Sequence, residues 1–95
     1  MAKYIALVNF TEQGIRNVKE SPARADAFRK MAESLGLKVN SVHWTIGSFD
    51  LVVHVEGSDE AVAAALLKVG MGGNVRTQTL RAYDAAEFGK ILGMV

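Results

Sequence analysis

Two stretches of alternating apolar and polar residues, 38–46 and 51–55, predict a β-hairpin in the middle of the chain. Both are rich in β-branched and aromatic residues, and Gly47, which tolerates positive φ, stands between them. Because a strand alternates faces with a period of two, the pattern sorts the side chains into two sets. One set is a core face that requires a covering helix, and it comprises Val42, Trp44, Ile46, Leu51, Val53 and Val55. The other set is mixed in polarity and comprises Ser41, His43, Thr45, Val52, His54 and Glu56.

The length of the hairpin loop decides how the two histidines face each other. A four-residue loop, Gly47 to Asp50, puts His43 directly opposite His54, whereas a two-residue loop, Gly47-Ser48, puts them on a diagonal. Either loop keeps both histidines on the mixed face, and this is where we expect function to reside.

Two further segments have the apolar pattern of strands. Residues 3–10 are nearly continuously apolar, which is typical of a central strand covered on both sides, and residues 75–83 predict the fourth strand. The polar segment 11–20 predicts a structured loop or a short helical turn. The glycine-rich segment 70–74 is either a plain connection or a loop whose amides bind an anion. It lacks the Gly-x-x-x-x-Gly-Lys pattern, so we favour the plain connection.

Three helices are predicted from their capping residues. Ser21 and Pro22 combine a capping hydroxyl with a proline at the first helical position, and Gly36 ends that helix. Ser58 caps a second helix. Asp84 opens a third helix through a variant of the capping box. The apolar stripe of this last helix comprises Phe88, Ile91, Leu92 and Val95.

The predicted order is βαββαβ followed by a terminal helix, which is the split βαβ arrangement of ferredoxin-like α+β folds. Two helices then cover one face of a four-stranded antiparallel sheet. The opposite face, which holds Val52 and the two histidines, is left uncovered by the chain itself. A small sheet with one bare and partly apolar face usually finds a partner.

Composition narrows the class of protein. The chain has 95 residues, which predicts one domain over residues 1–95. It is 49% hydrophobic and 22% charged, which is typical of globular proteins and excludes a disordered segment. The net charge of +1 gives no strong attraction to nucleic acid or to an anionic membrane. The lack of cysteine excludes disulfides, thiolate metal sites and cysteine nucleophiles.

Targeting signals are not expected. The strand-like pattern begins by Lys3 and Tyr4, which leaves no signal peptide. The longest apolar run, 61–67, is too short to cross a bilayer. We therefore expect a cytoplasmic protein with no membrane partner.

The hairpin carries the motif that relates the chain to a known family. Residues 44–53, WTIGSFDLVV, resemble the GYD domain family, with Gly47, Phe49 and Asp50 in the places of its Gly-x-Tyr-Asp motif. The segments YIALVNFTEQGIRNV and GNVRTQTLRAY resemble the same family, so the resemblance covers essentially the whole chain. Phe49 stands where the motif has tyrosine, so no phenolic hydroxyl is available there. The resemblance implies the topology of dimeric α+β barrel proteins, which associate through their open sheet faces, and it implies no reaction.

His43 and His54 are the candidate metal ligands, and Glu56 or Asp50 would have to supply a further donor. Two histidines on adjacent strands without a ligand motif favour hydrogen bonds across a subunit interface or to water. We therefore expect no metal and no cofactor.

A few convergent polar groups in an apolar cavity are typical of a small-molecule site. The candidates for such a site are Asn9, His43, Thr45, His54 and Gln78, with Trp44 or Tyr4 near its edge. A hydrated dimer interface on the same face is the favoured alternative.

We therefore predict a homo-oligomeric module, built on a dimer with apposed sheet faces, that binds a small ligand or has a structural or regulatory role. The alternative is a cofactor-independent enzyme of oxygenase or isomerase type that uses His43 or His54 as a base, and it rests on fold analogy. Arg76 and Arg81 fall on opposite faces of one strand, so they form no single basic patch. We expect no nucleic-acid partner.

Overall fold

The chain forms four strands and four α-helices in the predicted order. The computed structural model describes residues Met1–Val95. A 3₁₀ turn, Val18–Glu20, follows the first helix, so the segment 11–20 is helical in two short pieces. The elements are β1 (Ala2–Phe10), α1 (Glu12–Arg16), α2 (Ser21–Ser34), β2 (Lys38–Trp44), β3 (Leu51–Gly57), α3 (Asp59–Met71), β4 (Val75–Ala82) and α4 (Ala85–Leu92).

The strands form one antiparallel sheet in the order β2-β3-β1-β4. β1 is joined to β2 through α2, and β3 lies between them; β3 is joined to β4 through α3, and β1 lies between them. These interlocked connections are the split βαβ units of a ferredoxin-like fold. The predicted fold class is confirmed. None of the helices is both long and apolar enough to span a lipid bilayer.

The hydrophobic core lies between the sheet and helices α2 and α3. In β3, Leu51, Val53 and Val55 point toward the helices and are buried, whereas Val52 and His54 point to the other side. The buried apolar residues of the core are Ala6, Val8, Ala32, Leu37, Val39, Leu51, Val53, Val55, Val62 and Ala65.

Two residues of the predicted core face lie outside the core. β2 ends at Trp44, and Ile46 lies in the hairpin loop with its side chain fully exposed. The prediction for Ile46 was wrong because the alternation continues in the sequence beyond the last paired residue. Trp44 stays on the helix side but is 47% exposed, and its indole Nε1 donates a hydrogen bond to Ser21 Oγ at 3.0 Å.

An extra residue in β2 brings Val39 into the core. The pairing of β2 with β3 shifts between Val39 and Ser41, which leaves Asn40 as a bulge. Val39 thereby lies opposite Val55 and is buried. Strict alternation from Val42 would instead have pointed Asn40 inward, so the bulge gives the inward position to the apolar side chain.

The helix starts confirm two of the three predicted caps. Ser58 Oγ accepts a hydrogen bond from Ala61 N, and Asp84 forms a complete capping box with Glu87. The prediction that Ser21 caps α2 was wrong, since Ser21 is the first residue of the helix and is buried. The preceding 3₁₀ turn supplies the entry into α2, which frees the Ser21 hydroxyl to accept from Trp44.

The segment before α2 is clasped to the loop between α3 and β4. Thr11 N donates to Asn74 O at 3.0 Å, and Gln13 Nε2 donates to Gly72 O at 3.1 Å. Gly14 is buried in this clasp, and a Cβ added there would lie 1.9 Å from the carbonyl oxygen of Asn74. The glycine-rich loop is therefore a connection whose carbonyls are engaged by the chain, and Gly14 is required by this close approach.

We predict that Gly14→Ala lowers the free energy of unfolding by about 2 kcal/mol, because the new methyl group displaces the Asn74 backbone. Gly70→Ala is the matched control, since Gly70 is a helical residue of α3 with open space around it. This control should raise stability by up to about 1 kcal/mol. Urea unfolding of both variants measures the difference, and equal stabilities would contradict the clasp.

Candidate functional site

The side of the sheet that faces away from α2 and α3 has no covering layer within the chain, and we call it the open face. Its centre is an apolar patch of four adjacent side chains: Ile5, Leu7, Val52 and Leu80. Leu7 lies opposite Val52, and Ile5 lies opposite Leu80. Leu80 lies on the edge strand β4, next to the central strand β1, and is 51% exposed. An exposed apolar patch rimmed by polar groups is typical of an interaction surface.

Four of the five predicted site residues lie on the open face around this patch, and Thr45 lies beyond the end of β2 at the hairpin loop. His43 lies opposite Val52, and Gln78 lies opposite Leu7, so these two residues stand at either end of one row across the sheet. His54 lies beside Ile5 in the next row, while Asn9 lies opposite Arg76 beyond the other side of the patch. Thr45 follows the end of β2, where its N–H donates to Asp50 O at 2.8 Å.

The distances across the sheet do not bring these five side chains into one small pocket. His43 and Gln78 lie on the two edge strands, which are separated by roughly 14 Å at ordinary strand spacing. His43 and His54 lie on a diagonal of neighbouring strands, because Ser41 pairs with His54. The pairing of His43 with Val52 is the one expected for the two-residue loop Gly47-Ser48. The residues without ladder pairing nevertheless extend over 46–49. The four residues on the open face thus form a polar rim around the patch.

Trp44 and Tyr4, predicted at the edge of the pocket, lie on the helix side of the sheet. Trp44 pairs with Leu51, and Tyr4 pairs with Val55, both of which face the core. The Tyr4 hydroxyl donates a hydrogen bond to the carboxylate of Asp59 at the start of α3. Neither aromatic ring therefore contributes to the open face.

The hairpin motif ties the loop to the centre of the sheet. Gly47 has a φ of 140°, a conformation that residues with a side chain rarely adopt. Asp50 N donates to Val8 O at 2.8 Å, and the Asp50 carboxylate accepts from Phe10 N at 2.8 Å. Phe49 O accepts a bond from the Thr45 hydroxyl. Asp50 therefore bonds to β1, across the sheet, rather than only within its own turn.

The two histidines are not part of a cluster of metal-binding side chains. Both are exposed, and no group of three or more His, Cys, Asp or Glu side chains is placed to hold a metal ion. The two histidines therefore act here as exposed polar groups beside an apolar patch.

A cavity lies on the other side of the sheet, between α2 and α3. Its volume is about 300 Å³, and its walls include Ala25 and Phe28 of α2 and Leu66 of α3. The cavity was not predicted from the sequence. The small side chain of Ala25 leaves space above the sheet in the first half of α2, but an alanine in a helix does not by itself indicate a cavity.

Helix α4 is anchored to the body through Lys3. The Lys3 Nζ atom lies 2.6 Å from Asp84 Oδ2 and 3.0 Å from Glu87 Oε1. The hydrogen bond from Lys3 lowers the pKa of the Asp84 carboxyl, and the backbone N–H of Asp84, followed by Lys3, lowers the pKa of Glu87. No residue of α4 is buried, and Phe88 and Leu92 are 51% and 55% exposed. The helix is thus an amphipathic arm with an uncovered apolar stripe.

Comparisons with known proteins agree with the resemblance found in the sequence. The family model of the GYD domain matches residues 4–92. A protein of Thermus thermophilus, called glutamine synthetase and cystathionine beta-lyase binding protein, is 30% identical over 89 residues. The alignment covers 92% of this chain and 94% of that relative. The family match runs from β1 to the end of α4, so it includes the patch and the arm.

We predict that Lys3→Gln raises the pKa of Asp84 toward the ordinary value of about 4, because the neighbouring ammonium is lost. The pKa of Glu87 should rise less, since the hydrogen bond that its carboxylate accepts from the backbone N–H of Asp84 remains. Carboxyl titration by NMR measures both values, with Lys19→Gln as the control of equal charge change.

The same pair makes the anchoring of α4 dependent on pH. The pKa values of Asp84 and Glu87 are lowered in the folded state. The two carboxylates therefore stabilise the anchored α4 above about pH 4, and this stabilisation is lost as the pH falls through their folded-state pKa values. An Asp84 pKa that does not change in Lys3→Gln would contradict this anchor.

Proposed function

The chain belongs to the GYD domain family, and from that premise we propose that it is a homodimeric module that binds a metabolic enzyme. In this proposal a second copy of the chain covers the open face, and the arm formed by α4 binds the partner enzyme. The observation that carries the proposal is the partly exposed apolar patch on a sheet covered by helices α2 and α3 on one side only.

A second copy suits the open face because of the shape and composition of this surface. The open face is built from antiparallel strands, and α4 is attached to it through Lys3 while Leu80 of the patch remains 51% exposed, so two such faces can meet through their patches. In a two-fold dimer the patch of one subunit contacts the same patch of the other. An apolar patch is suited to this, because it needs no complementary charges or hydrogen-bond partners. Burial of each Leu, Ile or Val side chain contributes up to about 1.5–3 kcal/mol. The polar rim, including His43, His54 and Gln78, then forms the hydrated edge of the interface.

The arm suits a different partner. Phe88, Ile91 and Leu92 follow the i, i+3, i+4 spacing of a helix that binds in an apolar groove. Lys3 holds the first turn of this helix, and Phe88 and Leu92 of the stripe remain largely exposed. The relative from Thermus thermophilus is called a binding protein for glutamine synthetase and cystathionine beta-lyase. That name supports an enzyme as the partner of this chain.

We predict that Val52→Glu converts the dimer to the 10.2-kDa monomer, because it places a carboxylate without a partner at the centre of the buried interface. Ala63→Glu is the control, since it adds the same charge to the exposed side of α3. Light scattering coupled to size-exclusion chromatography measures the mass. A monomeric parent protein, or a Val52→Glu variant that remains a dimer, would refute the proposed assembly.

We predict that Leu92→Glu weakens binding to purified glutamine synthetase from the same organism by at least about tenfold, because it breaks the apolar stripe. Ala86→Glu is the control, since Ala86 lies on the side of α4 opposite the middle of the stripe formed by Phe88, Ile91 and Leu92. Interferometry with the immobilised enzyme gives the affinities. Equal losses in both variants would argue against the stripe, and loss of the dimer in Leu92→Glu would place α4 in the homodimer interface instead.

A further inference from the structure

The cavity between α2, α3 and the sheet is a cleft that opens to solvent. Its volume is about 300 Å³, and its floor is formed by buried residues of the sheet such as Val8 and Leu51. That volume is the lower end of the size range of small-molecule pockets. At the other end of the same core the packing is close, and only about 10 Å³ remain between Phe28, Leu37 and Ala65. The space is therefore local to one end of the helical layer.

The walls of the cavity are mostly apolar. Of the 18 residues that line it, 12 are hydrophobic. Phe28 and Met31 come from α2, Leu66 from α3, and Val8 and Leu51 from the two central strands. A ligand that fills this space has to be mainly hydrocarbon or aromatic, because few wall atoms can form hydrogen bonds.

The charged groups of the cavity are all cationic and come from one end of the molecule. Arg24 lies near the start of α2 and Lys68 near the end of α3, and no Asp or Glu is among the lining residues. The end of β1 pairs with the start of β4, so the start of α2 and the end of α3 lie at the same end of the sheet. The cavity thus has an apolar interior and a positively charged end.

The two cations differ in how they are held. Arg24 Nη1 donates to Asn17 O at 3.0 Å, and its guanidinium lies 3.7 Å from the exposed Glu20 carboxylate. These bonds fix the Arg24 side chain while leaving further N–H donors. Lys68 is exposed and takes part in none of the five salt bridges of the chain. Lys68 is therefore the cation that is free to pair with a bound anion.

We propose that this cavity binds a small, mostly apolar carboxylic acid, with its hydrocarbon part between the helices and the sheet and its carboxylate beside Lys68 and Arg24. The site lies on the opposite side of the sheet from the proposed dimer interface. It does not depend on the proposed function, and each can fail without the other.

The test uses two carboxylates, decanoate and naphthoate, with decanol as the uncharged probe, and measures binding to the full chain by calorimetry. At least one of the two carboxylates should bind. If decanoate binds, decanol, which lacks the carboxylate, should bind at least about tenfold more weakly. Lys68→Gln should weaken carboxylate binding about tenfold, which corresponds to the loss of one charge-assisted interaction. Lys68→Arg should retain the affinity.

A variant that fills the cavity separates a true site from surface binding. Ala25→Phe places a ring in the space above the sheet and should abolish carboxylate binding while the unfolding midpoint stays at or above that of the parent. Val69→Phe, which fills the space from α3, serves if Ala25→Phe does not fold. The proposal is overturned if neither carboxylate binds, if Lys68→Gln binds as tightly as the parent, or if a folded filled variant retains the affinity.

Discussion

A single layer of helices can shield only one face of a sheet, and this constraint governs the rest of the molecule. The helical side takes almost all the buried apolar residues, including Ala6, Val8 and Val53. The other side of the same two central strands carries Leu7 and Val52, which remain partly exposed. Burial of apolar area is the main favourable term in folding and association. The half of the sheet that the chain leaves uncovered is thus the natural place for association.

The alternation of residues and the caps predicted most of this fold, because both are local. The period of two placed Val52 and both histidines on the open face, and Ser58 and Asp84 marked the starts of two helices. The features that the alternation did not predict depend on which residues of β2 and β3 pair with each other. Ile46 continues the alternation but lies beyond the last pair of the hairpin. The bulge at Asn40, which places Val39 in the core, becomes visible only in the observed pairing of β2 with β3.

The candidate site was harder to predict because a shared face does not imply convergence. His43 and Gln78 were rightly assigned to one face, yet they lie on opposite edges of the sheet. The cavity arises from space that neighbouring helices fail to fill, and no local pattern reports it. Lys68 lines this cavity from an exposed position that resembles any surface lysine in the sequence. Asp50 bonds to β1, a long-range role that the turn motif alone did not indicate.

The central claim, that a second copy covers the open face, is tested most directly by methyl NMR with a soluble paramagnetic agent. Leu80, which is 51% exposed within one chain, reports on the patch, and Ile15 of α1, which is 53% exposed, is the internal reference of matched exposure. If another copy shelters the patch, the methyl groups of Leu80 will relax far more slowly than those of Ile15 when the agent is added. Relaxation of Leu80 at a rate close to that of Ile15 would contradict the account.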